Sequence, residues 1–200
     1  AGTTMKTASY YKVAGSSESA TITLTLAGAR DLRVSVFEIS GADTSSPIGQ
    51  DVKDDKDATN VNGVSMAYTN ANDNEWALVF AAVNLGNSVT GARVWSSGVV
   101  ERSYLDPMSL TTTGYAVGSK QLGAAGSGTI TFDYTGTANK MHGRLLTIKP
   151  APGGGVTVAQ GRRSAINLMS PWRSPLVVPD GSIIKKDRQQ LVYCYSEVAA

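Results

Sequence analysis

The sequence predicts an all-β protein, an antiparallel β-sandwich of jelly-roll type. Several short segments alternate polar and apolar residues, as half-buried strands do. Glycines, 21 in 200 residues, stand with other turn formers between these segments. Before residue 160, no stretch longer than about ten residues has the periodicity of a helix. A change of composition after residue 150 further predicts a C-terminal extended segment with one short helix.

The first strands are predicted by alternation and by β-branched or aromatic residues. Residues 7–13 predict a first strand, and residues 21–26, Thr-Ile-Thr-Leu-Thr-Leu, alternate without interruption. Residues 33–39 are rich in valine, phenylalanine and isoleucine and predict a central strand. The glycine, serines and proline of residues 41–47 predict a loop at one rim of the sandwich.

The middle of the chain contains a charged segment and an apolar one. Residues 50–60 carry four aspartates and two lysines and predict a solvated loop. A weak strand is predicted over 61–68, followed by a turn at 70–74. Residues 76–83 are apolar on both faces, and their turn-bounded, β-rich setting predicts a strand buried on both sides rather than a short helix.

Further strands are predicted towards residue 150. Short candidates lie near 91–96 and 99–104, followed by a glycine-rich region at 114–128. Alternation returns over 129–134, and 144–149 predicts a last strand.

These elements divide the chain into a sandwich domain, a linker and a tail. The sandwich is predicted over 1–150, a Pro/Gly linker over 151–160 and an attachment segment over 161–200. Ser182 can cap a short helix over 183–195. Because about 40 residues with one short helix cannot build a core, this tail must pack on the sandwich or on another protein.

Charge and cysteine content exclude several classes of partner. A net charge of +2 gives no reason to expect nucleic acid, and the longest apolar run, residues 76–83, is too short to span a bilayer. Residues 156–200 carry six basic and three acidic side chains, which favours an acidic partner surface for the tail. Cys194 is the single cysteine, so it can form neither an intrachain disulfide nor a thiolate metal cage, and it fits synthesis in a reducing cytosol.

No combination of residues indicates catalysis, a cofactor or a metal. The single histidine, His142, is interpreted as a surface or capping residue, and no nucleophile elbow or phosphate-binding loop occurs. Glu38, Asp43 and Asp133 are acidic, but no pattern pairs two carboxylates as glycoside cleavage requires. The sequence therefore predicts a protein that is not an enzyme.

The sequence leaves two binding alternatives open. The clustered aspartates at positions 51, 54, 55 and 57 could ligate calcium, although their spacing lacks the EF-hand pattern and a solvated acidic segment is the simpler interpretation. Trp76, Trp95, Tyr10 and Tyr11 could stack on sugar rings if exposed, although tryptophan in a sandwich core is commoner.

Two stretches resemble proteins of tailed-bacteriophage virion gene clusters. Ser9-Tyr-Tyr-Lys-Val-Ala-Gly15, followed by Val34-Ser-Val-Phe-Glu-Ile-Ser-Gly-Ala-Asp-Thr-Ser-Ser-Pro-Ile-Gly49, resembles a β-sandwich module of phage structural and fibre-associated proteins. Arg163-Ser-Ala-Ile-Asn167, Pro171-Trp-Arg173, Pro179-Asp-Gly-Ser-Ile183 and Asp187-Arg-Gln-Gln-Leu-Val-Tyr193 are similar to short proteins from the same clusters. Neither family implies a catalytic site.

The resemblance implies a virion structural protein, made in the cytoplasm of a bacterial host. The form that we expect is a capsid decoration or head-fibre accessory protein, homo-oligomeric and bound to major capsid or tail subunits through its C-terminal segment. The residues expected to bind the partner are Arg162, Arg163, Trp172, Arg173, Asp180, Arg188, Tyr193 and Tyr195.

Two alternative functions accompany this expectation. The first is a carbohydrate-binding module at the tail tip or on a fibre, in which a rim formed by Asp43, Thr44 and Ser45 recognises a host surface glycan. The second is a phage glycanase or peptidoglycan hydrolase, which the lack of paired acids or a metal set disfavours.

Overall fold

A computed structural model describes residues 4–14, 31–57, 61–84, 92–105, 113–138, 140–154, 156–160 and 189–199. These residues form three antiparallel sheets, and the prediction of an antiparallel all-β sandwich is confirmed. The strands are β1 (Thr4–Val13), β2 (Asp31–Ser40), β3 (Ile48–Lys56), β4 (Val61–Asn70), β5 (Trp76–Asn84), β6 (Arg93–Trp95), β7 (Val100–Leu105), β8 (Thr113–Gln121), β9 (Gly126–Ala138), β10 (Lys140–Ile148), β11 (Thr157–Gln160) and β12 (Gln189–Ala199).

The central sheet has five strands in the order β3-β10-β5-β8-β7, and its middle strands are buried on both faces. Alternate residues of β5 enter different cores: Val79 packs towards β4 and β9, whereas Leu78 packs towards β2 and β11. The apolar run at 76–83 is therefore a strand buried on both sides, as predicted.

The two outer sheets cover the faces of the central sheet. The smaller has the order β4-β9-β6 and contributes Met66 and Phe132 to one core. The larger has the order β1-β12-β2-β11 and contributes Phe37 and Ile39 to the other. Phe37 also meets Phe80 of β5 edge to face, with the ring centroids 6.3 Å apart.

Strand β12 contradicts the predicted C-terminal helix. Its backbone pairs antiparallel with β1 on one side and with β2 on the other, each over ten positions. The helix prediction is therefore wrong over residues 189–195, and residues 183–188 lie outside the described residues. Long-range pairing decides this segment, because a strand between two others satisfies its backbone groups without a helix.

Other segments also differ from the sequence prediction. The charged segment predicted as a loop is β3, and the glycine-rich region contains β8. Residues 157–160, predicted as linker, form β11 against β2. The strand predicted over 21–26 lies outside the described residues. Within the described part of the chain, no helix has the length and apolar character needed to cross a membrane.

Candidate functional site

Three of the four aspartates that suggested a calcium site face basic side chains of β10. Asp51 lies 3.5 Å from Nη1 of Arg144. Asp57 lies 3.2 Å from both Nζ of Lys140 and Nε2 of His142, and the Nδ1 atom of His142 lies 3.6 Å from Asp55. These carboxylates already have positive or hydrogen-bonding neighbours, which a calcium ion would have to displace.

His142 holds the end of this charged pair of strands together. Its side chain is buried, so the interpretation of His142 as a surface residue is wrong. The hydrogen bond from His142, followed by that from Lys140, lowers the pKa of Asp57 from 3.8. The contacts described for His142 include carboxylates but no nucleophile of the kind that a catalytic histidine activates.

The fourth acidic residue of this segment, Asp54, covers the edge of β4. Its Oδ2 accepts a hydrogen bond from the backbone N–H of Ser65 at 2.7 Å. Gln50 does the same four residues earlier, since its Oε1 accepts from the N–H of Thr69 at 2.7 Å. Side chains of β3 thus satisfy the unpaired edge of β4, a use that explains polar residues in this strand.

The rim predicted to recognise a glycan is a loop whose residues form hydrogen bonds with one another. Asp43 Oδ1 accepts hydrogen bonds from the N–H and hydroxyl of Ser45, at 2.8 and 2.7 Å, and from the N–H of Ser46. These bonds, that of the Ser45 hydroxyl first, lower the pKa of Asp43 from 3.8. Thr44 and Ser45 are exposed, but one carboxylate oxygen of the rim is already occupied by the loop.

The four aromatic residues that suggested sugar stacking divide into two groups. Trp95 packs on Phe132 with centroids 4.6 Å apart and donates from Nε1 to Glu101 at 3.2 Å, and Trp76 packs against the core formed with β2. Tyr10 and Tyr11 are each 52% exposed on β1. Only the two tyrosines have the exposure that stacking on a sugar requires.

A polar groove of about 380 Å³ opens where β3, β4 and β9 meet. The sequence gives no signal for it, because its residues come from three separate strands and none is chemically unusual. Its lining residues are Gln50, Ala67, Tyr68, Thr69, Ser127, Gly128 and Thr129.

Side chains on the two faces of the β4–β9 pair differ around this groove. Register pairs Tyr68 with Gly128, and the tyrosine Oη lies 2.5 Å from the position that a Cβ on Gly128 would occupy. The ring can lie across β9 only because that position is glycine. On the opposite, exposed face of the β4–β9 pair, Thr69 Oγ1 and Ser127 Oγ are 2.9 Å apart and share a hydrogen bond.

Most residues predicted to bind a partner lie outside the described residues: Arg162, Arg163, Trp172, Arg173, Asp180 and Arg188. Tyr193 and Tyr195 lie within β12, where register places them opposite Tyr10 and Ala8 of β1. The backbone of β12 is paired on both edges, so it cannot add a strand to a neighbouring protein.

The described residues contain no group of three or more His, Cys, Asp or Glu side chains that could hold a metal ion. No protein-family model, curated protein or solved structure matches this chain. The fold itself defines an all-β protein with a central sheet covered on both faces.

Proposed function

We propose that this chain is a non-enzymatic structural protein of a tailed-phage particle, of the capsid decoration or head-fibre type. Residues 161–188 attach it to capsid or tail subunits and are held at both ends by the sandwich. The virion resemblance of the sequence supports the particle role. One structural observation supports the form of the attachment: Gln160 and Gln189, the residues that flank this segment, both pair with β2.

Register gives the distance between those ends. Gln160, the last residue of β11, pairs with Phe37, and Gln189, the first of β12, pairs with Ser40. Because β11 and β12 flank β2, the two ends are about 10 Å apart across the sheet and about 10 Å apart along it. The 28 residues between them can therefore form an attachment loop that starts and returns at one place.

The charge of this loop indicates the kind of surface that it binds. Residues 161–188 carry six basic and two acidic side chains, so the excess positive charge of the C-terminal region lies here rather than in β12. The attachment residues are then Arg162, Arg163, Trp172, Arg173, Asp180 and Arg188, whereas Tyr193 and Tyr195 belong to the sheet. Basic residues around a tryptophan suit an acidic protein surface with an apolar pocket.

Binding at several sites at once adds to the affinity of a single attachment segment. A particle presents the same acidic surface many times, and a homo-oligomer of this chain would engage several copies together. A loop of modest intrinsic affinity is therefore sufficient.

The test replaces the loop and keeps both strands. Deleting residues 156–200 would remove β11 and β12 and so disrupt the sheet, whereas a Gly-Ser linker of about eight residues spans roughly 15 Å and leaves both strands in place. The variant and the wild-type chain are expressed in the phage that encodes them, and purified particles are labelled with an antibody against residues 31–150.

We expect wild-type particles to carry label at a fixed position and variant particles to lose it, while the free variant keeps its melting temperature. As a matched control, Lys120→Ala removes a positive charge from the sandwich and should leave labelling unchanged. Wild-type particles without label would refute the particle role. Full labelling of the loop variant would refute attachment through residues 161–188.

A further inference from the structure

We propose that Asn62 is a site of spontaneous deamidation in the folded protein. In this reaction the backbone nitrogen of Gly63 attacks the side-chain amide of Asn62, and aspartate or isoaspartate replaces the asparagine. Three observations support such a modification site: a break in the β4–β9 ladder, the direction of the Gly63 N–H, and a contact that requires glycine at position 63. The site is independent of the particle role.

The ladder between β4 and β9 is interrupted at Asn62. Register pairs Val61 with Ala138 but Gly63 with Asp133, so Asn62 has no partner on β9. A bulge of this kind leaves the extra residue unpaired and disrupts the ladder locally. The side chain of Asn62 is exposed. It can therefore turn towards the following peptide nitrogen, which a regular pleated strand would prevent.

The backbone N–H of Gly63 points away from β9. The N–H groups of Ser65 and Thr69 do so, because each donates to a side chain of β3 at 2.7 Å. Pairing with β9 is regular from Gly63 to Asn70, and in a regular antiparallel ladder residues two apart direct their N–H groups to the same side. Gly63 therefore shares the direction of Ser65 and Thr69.

The neighbouring strand offers this N–H no acceptor at the corresponding position. On β3 the two accepting residues are Gln50 and Asp54, which are four apart, as are the donors on β4. The same spacing places Lys56 opposite Gly63. Because an ammonium group only donates hydrogen bonds, Lys56 leaves the nitrogen of Gly63 available as a nucleophile.

The contact with β9 requires a glycine after Asn62. A Cβ on Gly63 would collide with Oδ1 of Asp133. A side chain at this position would also shield the backbone nitrogen from attack on Asn62, whereas glycine leaves it open. The residue that the fold needs opposite Asp133 therefore creates a reactive Asn-Gly pair.

Water is the only other reactant. The nitrogen of Gly63 forms a bond to Cγ of Asn62, and the amide Nδ2 leaves as ammonia with the proton of the Gly63 N–H. Water then opens the resulting succinimide at either carbonyl and gives aspartate or isoaspartate. Isoaspartate adds one carbon to the backbone, and the existing bulge takes up this length without a change of register beyond Gly63.

The test is incubation of the full folded chain in mildly alkaline buffer, followed by peptide mass spectrometry that separates asparagine, aspartate and isoaspartate at each position. We expect Asn62 to convert at a rate within severalfold of that in the guanidinium-unfolded chain. Asn70 and Asn72 are internal references, because their side-chain nitrogens donate to Ala124 O and Glu75 Oε1. Both should remain asparagine in the folded chain.

Two lysine variants separate the free N–H from an effect of charge. Lys56→Gln offers Gly63 an acceptor, as Gln50 does for Thr69, and should slow the conversion of Asn62 severalfold. Lys53→Gln removes the same charge from an exposed position of β3 with the other alternation and should leave the rate unchanged.

Three results would overturn the proposal. In the first, Asn62 stays unmodified in the folded chain while it converts in the unfolded one. In the second, Asn70 or Asn72 converts as fast as Asn62 in the folded chain. In the third, the two lysine variants change the rate equally or neither changes it.

Discussion

Nε2 of His142 lies 3.2 Å from Oδ1 of Asp57, and this contact joins residues that are 85 positions apart in the chain. It lies at the end of an antiparallel pair in which β3 carries the carboxylates and β10 carries the cations. The charged segment is therefore ordered as an edge strand because its charges meet opposite charges on the neighbouring strand.

Replacing Asp57 with asparagine should reveal this pairing through its pH dependence. Because the pKa of Asp57 is lowered in the folded protein, its contribution to stability is present above the unfolded value of 3.8 and is lost as the pH falls through the lower, folded value. The side chain is 60% exposed, so the contribution is below about 1 kcal/mol.

Thermal unfolding from about pH 2 to pH 6 measures the difference between Asp57→Asn and wild type. The difference should be constant at the upper end of this range and vanish at the lower end. Asp133→Asn, a substitution at an exposed position on β9, serves as the control for loss of one negative charge. A difference that grows as the pH falls would contradict this assignment.

Gly143 lets β10 pack closely against β4. A Cβ added to it would lie 3.0 Å from both Met66 Sδ and Val64 Cγ2, which are buried. Gly143→Val should therefore destabilise the fold by about 1–3 kcal/mol through overpacking.

The matched control is Gly123→Val, since no atom lies within 4 Å of a Cβ at that position. Urea unfolding of both variants gives the free energies of unfolding. Equal stability of the two variants would mean that β10 and β4 are not in close contact.

The loop bonds of Asp43 should be visible at individual amides. Asp43→Ala removes the acceptor for the N–H groups of Ser45 and Ser46, so hydrogen exchange at these amides should accelerate by about tenfold. Asp43→Asn keeps an acceptor oxygen and should accelerate exchange less.

In the wild-type chain, the amide chemical shift of Ser45 should follow the protonation of Asp43, with a midpoint below pH 3.8. Unchanged exchange in Asp43→Ala would show that this carboxylate does not hold the loop.

The sequence predicted correctly those elements whose burial or turn geometry follows from their own residues. Residues 76–83 are apolar at every position, and a strand with a sheet on each face is the structure that such a run requires. The turn at 70–74 follows from its asparagines, of which Asn74 has φ of 60°.

The elements that the sequence did not predict depend on distant residues. Asp51 of β3 and Asp57, directly after β3, are compensated by residues of β10, more than 80 residues later, and no local pattern shows this. Gly118 lies within β8, where the lack of a side chain leaves space for Val99. This glycine therefore allows close packing of a strand and does not mark a loop. Ser182 suggested a helix start, but pairing with β1 and β2 determines a strand from residue 189. The groove has no signal in the sequence because β3, β4 and β9 come together only in the fold.

The pairing of β12 with β1 and β2 is central to the proposed attachment, because it puts Gln189 on the same strand, β2, as Gln160. Register places Cys194, the single cysteine, opposite Ser9 of β1 and Ser35 of β2. Paired Cα atoms in antiparallel strands are about 4.5–5.5 Å apart, within the range of a disulfide.

The most direct test is therefore oxidation of three single variants, Ser9→Cys, Ser35→Cys and Ala8→Cys, followed by mass spectrometry of the peptides. We predict an intrachain disulfide to Cys194 in Ser9→Cys or Ser35→Cys and none in Ala8→Cys, whose register partner is Tyr195. No disulfide in either serine variant, or equally efficient cross-linking from position 8, would contradict the account.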